Sequence, residues 1–215
     1  MCQLHADDEV IVSDDQSTDE TVDLIKAFAD PRIRLLERST APRSPVSNFD
    51  CTLAHARHNF IFLADQDDIW HRDKITTVVQ LLQSFDLVVS DCTLIDEEGI
   101  EIAPSFFAQH HSRPGFWANF IRNSYLGCCM AFRRTLLENA RPIPPSVPMH
   151  DIWLGLVAEW YGQTCFYPEQ LVAYRRHNGA ASTAAGRSSY SLWQKIMLRY
   201  QLLRSLMQRI FEQRR

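Results

Sequence analysis

The chain has 215 residues, 46% hydrophobic and 22% charged, which is the balance of a globular domain with apolar mass for a sizeable core. A formal net charge of −4 excludes a generally basic nucleic-acid-binding surface, so an anionic partner must be met by a local patch. No stretch approaches the roughly 20 apolar residues of a membrane span, and the opening MCQLHADDEV has no signal-peptide pattern, so a cytoplasmic location is expected.

The first predicted strand is Val10–Val12, β-branched throughout, followed by the polar turn SDDQSTDE. Val22, Leu24, Ile25 and Phe28 then recur at helical spacing, with Ser17 or Thr18 as the expected N-cap and Asp19 and Glu20 as first-turn charges. Residues 32–37 (RIRLLE) read as a second strand, and RSTAPRSPVSN as loop. A helix is predicted over 48–58, a strand over 60–64, a helix over 74–85 and a short buried strand over 86–90. Residues 95–122 are aromatic-rich and irregular in pattern, 125–133 are apolar again, RPIPPSVP is a turn, and 151–161 form a strongly apolar helix. Alternating strands and helices with continuous apolar strands predict an α/β fold, its sheet mainly parallel and flanked by helices.

Residues 190–215 carry a long helical pattern with Leu192, Trp193, Ile196, Met197, Tyr200, Leu203, Met207, Ile210 and Phe211 on one side and basic residues largely elsewhere. This basic amphipathic helix, set off as residues 187–215 from a domain of residues 1–186, either packs on that domain or touches an anionic membrane surface. The six cysteines fall in no CxxC or Cys/His finger spacing, so free thiols are expected rather than a disulfide framework.

The chemistry concentrates at two acidic strand ends. Asp14-Asp15 follows VIV, and Asp65-Gln66-Asp67-Asp68 follows FIFLA. Like charges so close repel, and partial burial raises the cost of each ionised carboxylate, so a positive charge belongs beside them. Ligands of open α/β sheets bind beyond the carboxyl ends of strands, and hard oxygen donors there suit Mg²⁺ or Mn²⁺ with room for substrate phosphates. One Asp-x-Asp alone reads equally as a solvated loop or helix cap; two acidic strand ends in succession favour the site.

These stretches, in order, resemble the family-2 glycosyltransferases: VSDDQSTDET, then LADQDDIW, SYLGCCMAFRR, HDIWLGLVAEWYG and YRRHNGAAS. The wording DQDDIW, HDIW and YRRH is most similar to bacterial enzymes that transfer rhamnose and related sugars in surface-polysaccharide assembly. The resemblance spans roughly residues 8–185 and implies a GT-A, Rossmann-like fold and an inverting, metal-dependent transfer from a nucleotide-diphosphate sugar to a glycan or lipid-linked glycan. It implies that Asp14 and Asp15 meet the donor base and ribose. Asp65 would meet the ribose or the metal shell, and Asp67 would ligate the metal, with Asp68 a weaker candidate that caps a helix or holds the loop. It further implies Asp151 as the general base and Arg175, Arg176 and His177 facing the diphosphate. Peripheral contact with the inner membrane face is part of the same expectation.

Each residue also has a plain structural reading. Asp151 reads alone as a helix N-cap, His177 as a surface polar residue, and Trp70 and Trp153 as core. The family ordinarily opens with a further strand, turn and helix ahead of the segment matching DDEVIVSDD; here Val10 follows Met1 closely, so that first strand and helix are expected to be missing, through a truncated or misassigned start, a strand supplied by another chain, or a fragment that folds without it and has lost catalysis. Two other functions share these features: a nucleotide-binding remnant without turnover, and an Mg²⁺-dependent phosphatase of the haloacid-dehalogenase type with Asp65 as nucleophile.

Overall fold

The two N-terminal apolar runs form strands β1 (Val10–Asp14) and β2 (Ile33–Glu37), paired in parallel with Val10 opposite Ile33. A parallel pair needs a crossover, here α1 (Thr21–Ala27). The structure is a computed structural model, and it describes residues 1–37, 44–176 and 191–213. Neither Ser17 nor Thr18 caps α1. The Asp14 carboxylate accepts from the Ser17 amide and closes the turn first, so the helix starts after Glu20, with Asp19 Oδ1 accepting from the Thr21 amide at 3.0 Å.

Helix α2 (Pro45–His55) begins inside the stretch predicted to be loop. Ser44 Oγ accepts from the Ser47 amide at 3.1 Å, and Pro45 takes the first helical position, where its missing N–H is no loss. The β1–β2 pair is tied to α2 by hydrogen bonds from Ser13 Oγ to Asn48 Oδ1 and from the Arg57 amide to Glu9 Oε1.

The remaining strands are β3 (Phe60–Phe62), β4 (Ile69–Trp70), β5 (Leu87–Ile95), β6 (Glu101–Ala103), β7 (Met130–Arg133) and β8 (Thr164–Arg175). They make a separate sheet in the order β3-β7-β5-β8-β4, with β6 on β5. The two longest pairings, β1 with β2 and β5 with β8, are parallel; β3 with β7, β4 with β8, and β5 with β6 and β7 are antiparallel. The α/β architecture stands, while the sheet is mixed and not parallel throughout.

Strand β8 has no counterpart in the sequence reading. Its centre carries Pro168, Glu169 and Gln170, and the register with β5 shifts there: Ser90 faces Tyr167, whereas Asp91 faces Gln170. The two intervening residues bulge out, which is where a sheet tolerates proline.

The helices are α3 (Lys74–Leu81), α4 (Phe106–His110), α5 (Phe116–Ile121), α6 (Leu136–Ala140), α7 (His150–Tyr161) and α8 (Leu192–Glu212). Residues 95–122, irregular in pattern, thus hold β6, α4 and α5. Helix α7 is apolar on all sides and is buried from His150 through Ala158 among α6, α5 and α2. Trp153 is fully buried, its indole donating to Ala140 O at 2.7 Å, which is the core role expected of it.

The last helix packs on the domain in its second half, although Leu203, Met207 and Phe211 of the predicted apolar side stay exposed there. Leu202, Leu206 and Ile210 are buried, and the buried Arg209 donates to the carbonyls of Asn139, Arg141 and Pro142. Leu192, Trp193, Ile196, Met197 and Tyr200 in the first half are exposed. The expected boundary between residues 186 and 187 lies outside the described residues.

Candidate active site

The antiparallel register of β3 and β7 builds the acidic site. Phe62 faces Ala131 and the Leu63 amide donates to Met130 O at 3.1 Å, so the residues leaving β3 meet those entering β7. Asp65 and Asp68 are thereby set beside the 3-10 turn Gly127–Cys129. One oxygen of Asp65, one of Asp68 and the Cys128 sulfur lie within 4.8 Å of one another. Asp67, the favoured ligand in the sequence reading, is not a member of that group.

The electrostatics of the group follow from burial and mutual repulsion. Burial, reinforced by the charges of Asp68 and Asp67, pushes the Asp65 carboxyl up to about 6. Burial also pushes Asp68 up, partly offset by the Cys128 thiol and the Arg175 amide. Asp68 Oδ1 accepts from that amide at 2.9 Å, while its Oδ2 is buried without a hydrogen-bond partner. The thiol contact with Cys129, together with burial, pushes the Cys128 thiol up. An orphaned carboxylate oxygen with a second carboxylate and a thiol alongside fits a divalent cation.

Lys74 supplies a buried positive charge that favours the ionised Asp65. Its side chain is 1% exposed, its ammonium donates to Cys128 O at 2.7 Å, and it lies 3.7 Å from the centroid of the Trp70 ring. Burial pulls its pKa down to about 8. With the Arg175 guanidinium on Asp67 O, Lys74 brings two positive charges against Asp65, Asp67 and Asp68, which leaves the turn net negative. Trp70 is half-buried beneath Lys74 and against Phe62, so it serves as floor and support.

Arg175 reaches this turn through the antiparallel pairing of β4 with β8. Its Nε donates to Asp67 O at 3.1 Å and its Nη1 to Asp96 O and Glu97 O at 3.0 and 2.7 Å. The guanidinium therefore clamps three backbone carbonyls and fixes the acidic turn against the end of β5. The Arg176 amide donates to Ile95 O at 2.8 Å, and His177 lies outside the described residues.

Asp14 and Asp15 stand on the two-stranded sheet. Asp14 is buried at the end of β1, and its carboxylate accepts from the Gln16 and Ser17 amides at 3.0 and 3.1 Å. Asp15 next to it is partly exposed.

Asp151 lies in the first turn of α7, 6% exposed. It is not the N-cap: Met149 holds that position, and Asp151 Oδ1 accepts from the Ile152 amide at 2.5 Å. Burial first, then the charge of Asp65, pushes its carboxyl up to about 7. A carboxyl with that affinity for protons, in the field of the metal-type cluster, can exchange a proton near neutrality. His150 before it is buried, stacks on Phe49 at 3.7 Å between centroids and has neither ring nitrogen hydrogen-bonded; burial pulls it down to about 4. Cys128, Lys74 and His150 were not singled out from sequence. The doublet after Gly127 and the lysine four residues after Trp70 were visible there, but only the strand register joins them to Asp65.

Comparison with known proteins identifies the family. The sequence profile described as glycosyl transferase family 2 matches residues 2–141. Two curated Escherichia coli proteins are similar, both named UDP-Glc:alpha-D-GlcNAc-diphosphoundecaprenol beta-1,3-glucosyltransferase. WfaP is 29% identical over 39% of this chain and 33% of its own length, and WfgD is 25% identical over 73% of this chain and 61% of its own. The chain thus spans about a third and three fifths of these relatives. Among solved structures, S. aureus TarS 1-349 in complex with UDP-GlcNAc superposes with a TM-score of 0.65 at 13% identity, covering 95% of this chain and 64% of that one. That likeness shows the GT-A fold, and the chain belongs to glycosyl transferase family 2.

Proposed function

We propose that the chain is the catalytic domain of an inverting glycosyltransferase that moves a hexosyl group from a UDP-sugar to a hydroxyl of a lipid-diphosphate-linked glycan. The observation that carries this reading is Asp151, a buried carboxyl raised to about 7 and within the field of Asp65. The names of WfaP and WfgD support a uridine donor and a lipid-diphosphate acceptor. The motif likeness to rhamnosyltransferases and those glucosyltransferase names share only the hexose class, so the proposal stops there.

In this reading Asp65 and Asp68 would hold a divalent cation such as Mg²⁺ or Mn²⁺, with Cys128 a further ligand only for the softer Mn²⁺, and the cation would supply positive charge to the diphosphate leaving group. Arg175 keeps the turn that carries them in place. Asp14 and Asp15 meet the nucleoside. Asp151 takes the proton of the acceptor hydroxyl as that oxygen bonds to the anomeric carbon and the diphosphate leaves with the bonding electrons from the opposite face. The Ile152 amide fixes one oxygen of Asp151, and the other receives the proton. The reaction is placed at the inner face of the membrane, where a lipid-linked acceptor would be presented; no helix among the described residues is long and apolar enough to cross a membrane.

The test is incubation with UDP-glucose, Mn²⁺ and a synthetic GlcNAc-diphospholipid, with product configuration read by NMR. Wild type should give an inverted linkage, and Asp151→Asn should lose about 10²- to 10⁴-fold in turnover. Full turnover by the Asn variant would remove the base. Hydrolysis of a generic aryl phosphate in place of transfer would favour the phosphatase, and nucleotide binding without any transfer the remnant.

A further inference from the structure

A cleft of about 520 Å³ is lined by His111, Ser112, Arg113, Ala118, Arg122 and Ser124, none of them from the acidic turn. The fully buried Asn119 builds its frame. Its amide donates to Arg113 O and Gly115 O at 2.9 and 3.1 Å, and its Oδ1 accepts from the Ser124 amide at 3.1 Å. His111, in the left-handed region at φ 54°, turns the chain out of α4 into the cleft.

The cleft is lined by cationic residues, and no carboxylate is among its lining residues. Arg113 and Arg122 are exposed, and among the described residues neither makes a salt bridge to a carboxylate. The nearby Glu159 is engaged by the Gly115 amide at 2.8 Å and by the Tyr125 hydroxyl at 3.3 Å. The Ser112 hydroxyl is buried without a hydrogen-bond partner. Two arginines, a histidine and an unmet hydroxyl lining one space suit phosphoryl oxygens better than a single carboxylate.

The surroundings say what the phosphoryl group is attached to. On α5, beside Ala118 and Arg122 of the lining, Trp117 is 64% and Ile121 75% exposed. Helix α8 joins them, since Arg199 donates to Ile121 O at 3.3 Å and lies 5.9 Å from the Phe120 ring, and its exposed Leu192, Trp193 and Ile196 extend the apolar surface. Aromatic residues beside cationic ones are the mark of an interface between water and lipid. The cleft is also linked to the base: Gly115 holds Glu159, which stands on α7 roughly 12 Å along the helix from Asp151.

We propose that this cleft binds the diphosphate of an isoprenoid-type acceptor lipid. Arg113 and Arg122 grip the phosphoryl oxygens and the Ser112 hydroxyl donates to one of them. Trp117 and Ile121 take the first part of the hydrocarbon chain, and the attached sugar extends toward Asp151. The inference rests on the glycosyltransferase reading and adds to it a second diphosphate site, separate from the donor's.

Binding of three probes separates the alternatives: farnesyl diphosphate, inorganic pyrophosphate without metal, and UDP with Mn²⁺, each measured by calorimetry. Arg113→Gln/Arg122→Gln should weaken farnesyl diphosphate and pyrophosphate about tenfold or more and leave UDP unchanged. Trp117→Ser should weaken farnesyl diphosphate alone, which distinguishes a lipid from free phosphate. Both sets of side chains are exposed, so the variants should melt as wild type does. Unchanged farnesyl diphosphate affinity in the double variant overturns the proposal, as does an equal loss for UDP, which would make the cleft the donor's. An equal effect of Trp117→Ser on farnesyl diphosphate and pyrophosphate overturns the lipid assignment. Because binding is read without turnover, a chain that binds farnesyl diphosphate as proposed and yet transfers no sugar would fail the glycosyltransferase reading only.

Discussion

Asp151 in the first turn of α7 and Asp65 at the end of β3 act on each other through the protein interior, and both carboxyls are raised, to about 7 and about 6. Neither would be so unwilling to ionise on a solvated loop. In the proposed reaction that cost has a use: a carboxylate that is stable as such at pH 5 would be a poor proton acceptor at pH 7.

That cost can be measured on Asp151. Its folded pKa of about 7 lies above the ordinary 3.8, so between those values the native state holds more protons than the unfolded state. Stability contributed by the protonated carboxyl is therefore present below about pH 4 and is lost as pH rises through about 7. Asp151→Asn should melt like wild type near pH 4 and higher than wild type at pH 8, by an amount on the order of a few kcal/mol, while transfer is lost. An Asn variant less stable than wild type at pH 8 would show that the carboxylate is held by favourable contacts instead.

The sulfur in the acidic group makes a spectroscopic prediction. A hard cation such as Mg²⁺ has little use for a thiolate, whereas Co²⁺, Zn²⁺ and, less strongly, Mn²⁺ accept one. Wild type titrated with Co²⁺ should show a near-ultraviolet sulfur-to-cobalt charge-transfer band, with the Cys128 proton released to solvent. Cys128→Ser and Asp68→Asn should lose the band, and Cys51→Ser, remote from the site in sequence, should keep it. A wild-type spectrum with no such band would reduce the site to its two carboxylates.

The difference between Asp67 and Cys128 shows what the sequence could reveal. Three carboxylates after an apolar run are legible as a charge problem, and the motif order points to the family. Which atoms solve the problem depends on the pairing of Phe62 with Ala131, a contact between segments about seventy residues apart. The periodic elements were legible for the same local reason: α1, α3, α7 and α8 repeat their apolar residues at helical spacing. Strand β8 was not, because Pro168 and Glu169 sit in a bulge whose cost is met by β5. Strand β5 itself runs past the predicted end at Ser90, since Asp91, which looks like a strand stop, is buried and accepts from Cys92 N, Phe107 N, Ser105 Oγ and Gln170 Nε2.

Arg175 bears on the site without touching the candidate cation. Its guanidinium spans the carbonyls of Asp67, Asp96 and Glu97, a fork that a lysine cannot reproduce. Arg175→Lys should lower stability by about 1–3 kcal/mol, and it should weaken Mn²⁺ binding more than tenfold because the turn carrying Asp65 and Asp68 is released. A variant that melts lower but binds Mn²⁺ as tightly as wild type would confine Arg175 to a role in the sheet.

The approach of the 125–133 segment to α7 depends on one missing side chain. A Cβ on Gly155 would stand 2.3 Å from Tyr125 Cε2, and the ring has little room to retreat, being 1% exposed and linked through its hydroxyl to Glu159. Gly155→Ala would ordinarily favour a helix by about 1 kcal/mol; here overpacking should outweigh that and destabilise by about 1–3 kcal/mol net. Because the displaced ring leads directly into the turn that carries Cys128, transfer activity should fall further than stability does. Pairing Gly155→Ala with Tyr125→Leu tests the cause: the shorter side chain should restore most of the melting temperature. If the double variant melts no higher than Gly155→Ala alone, the clash with the Tyr125 ring is not what sets the requirement for glycine.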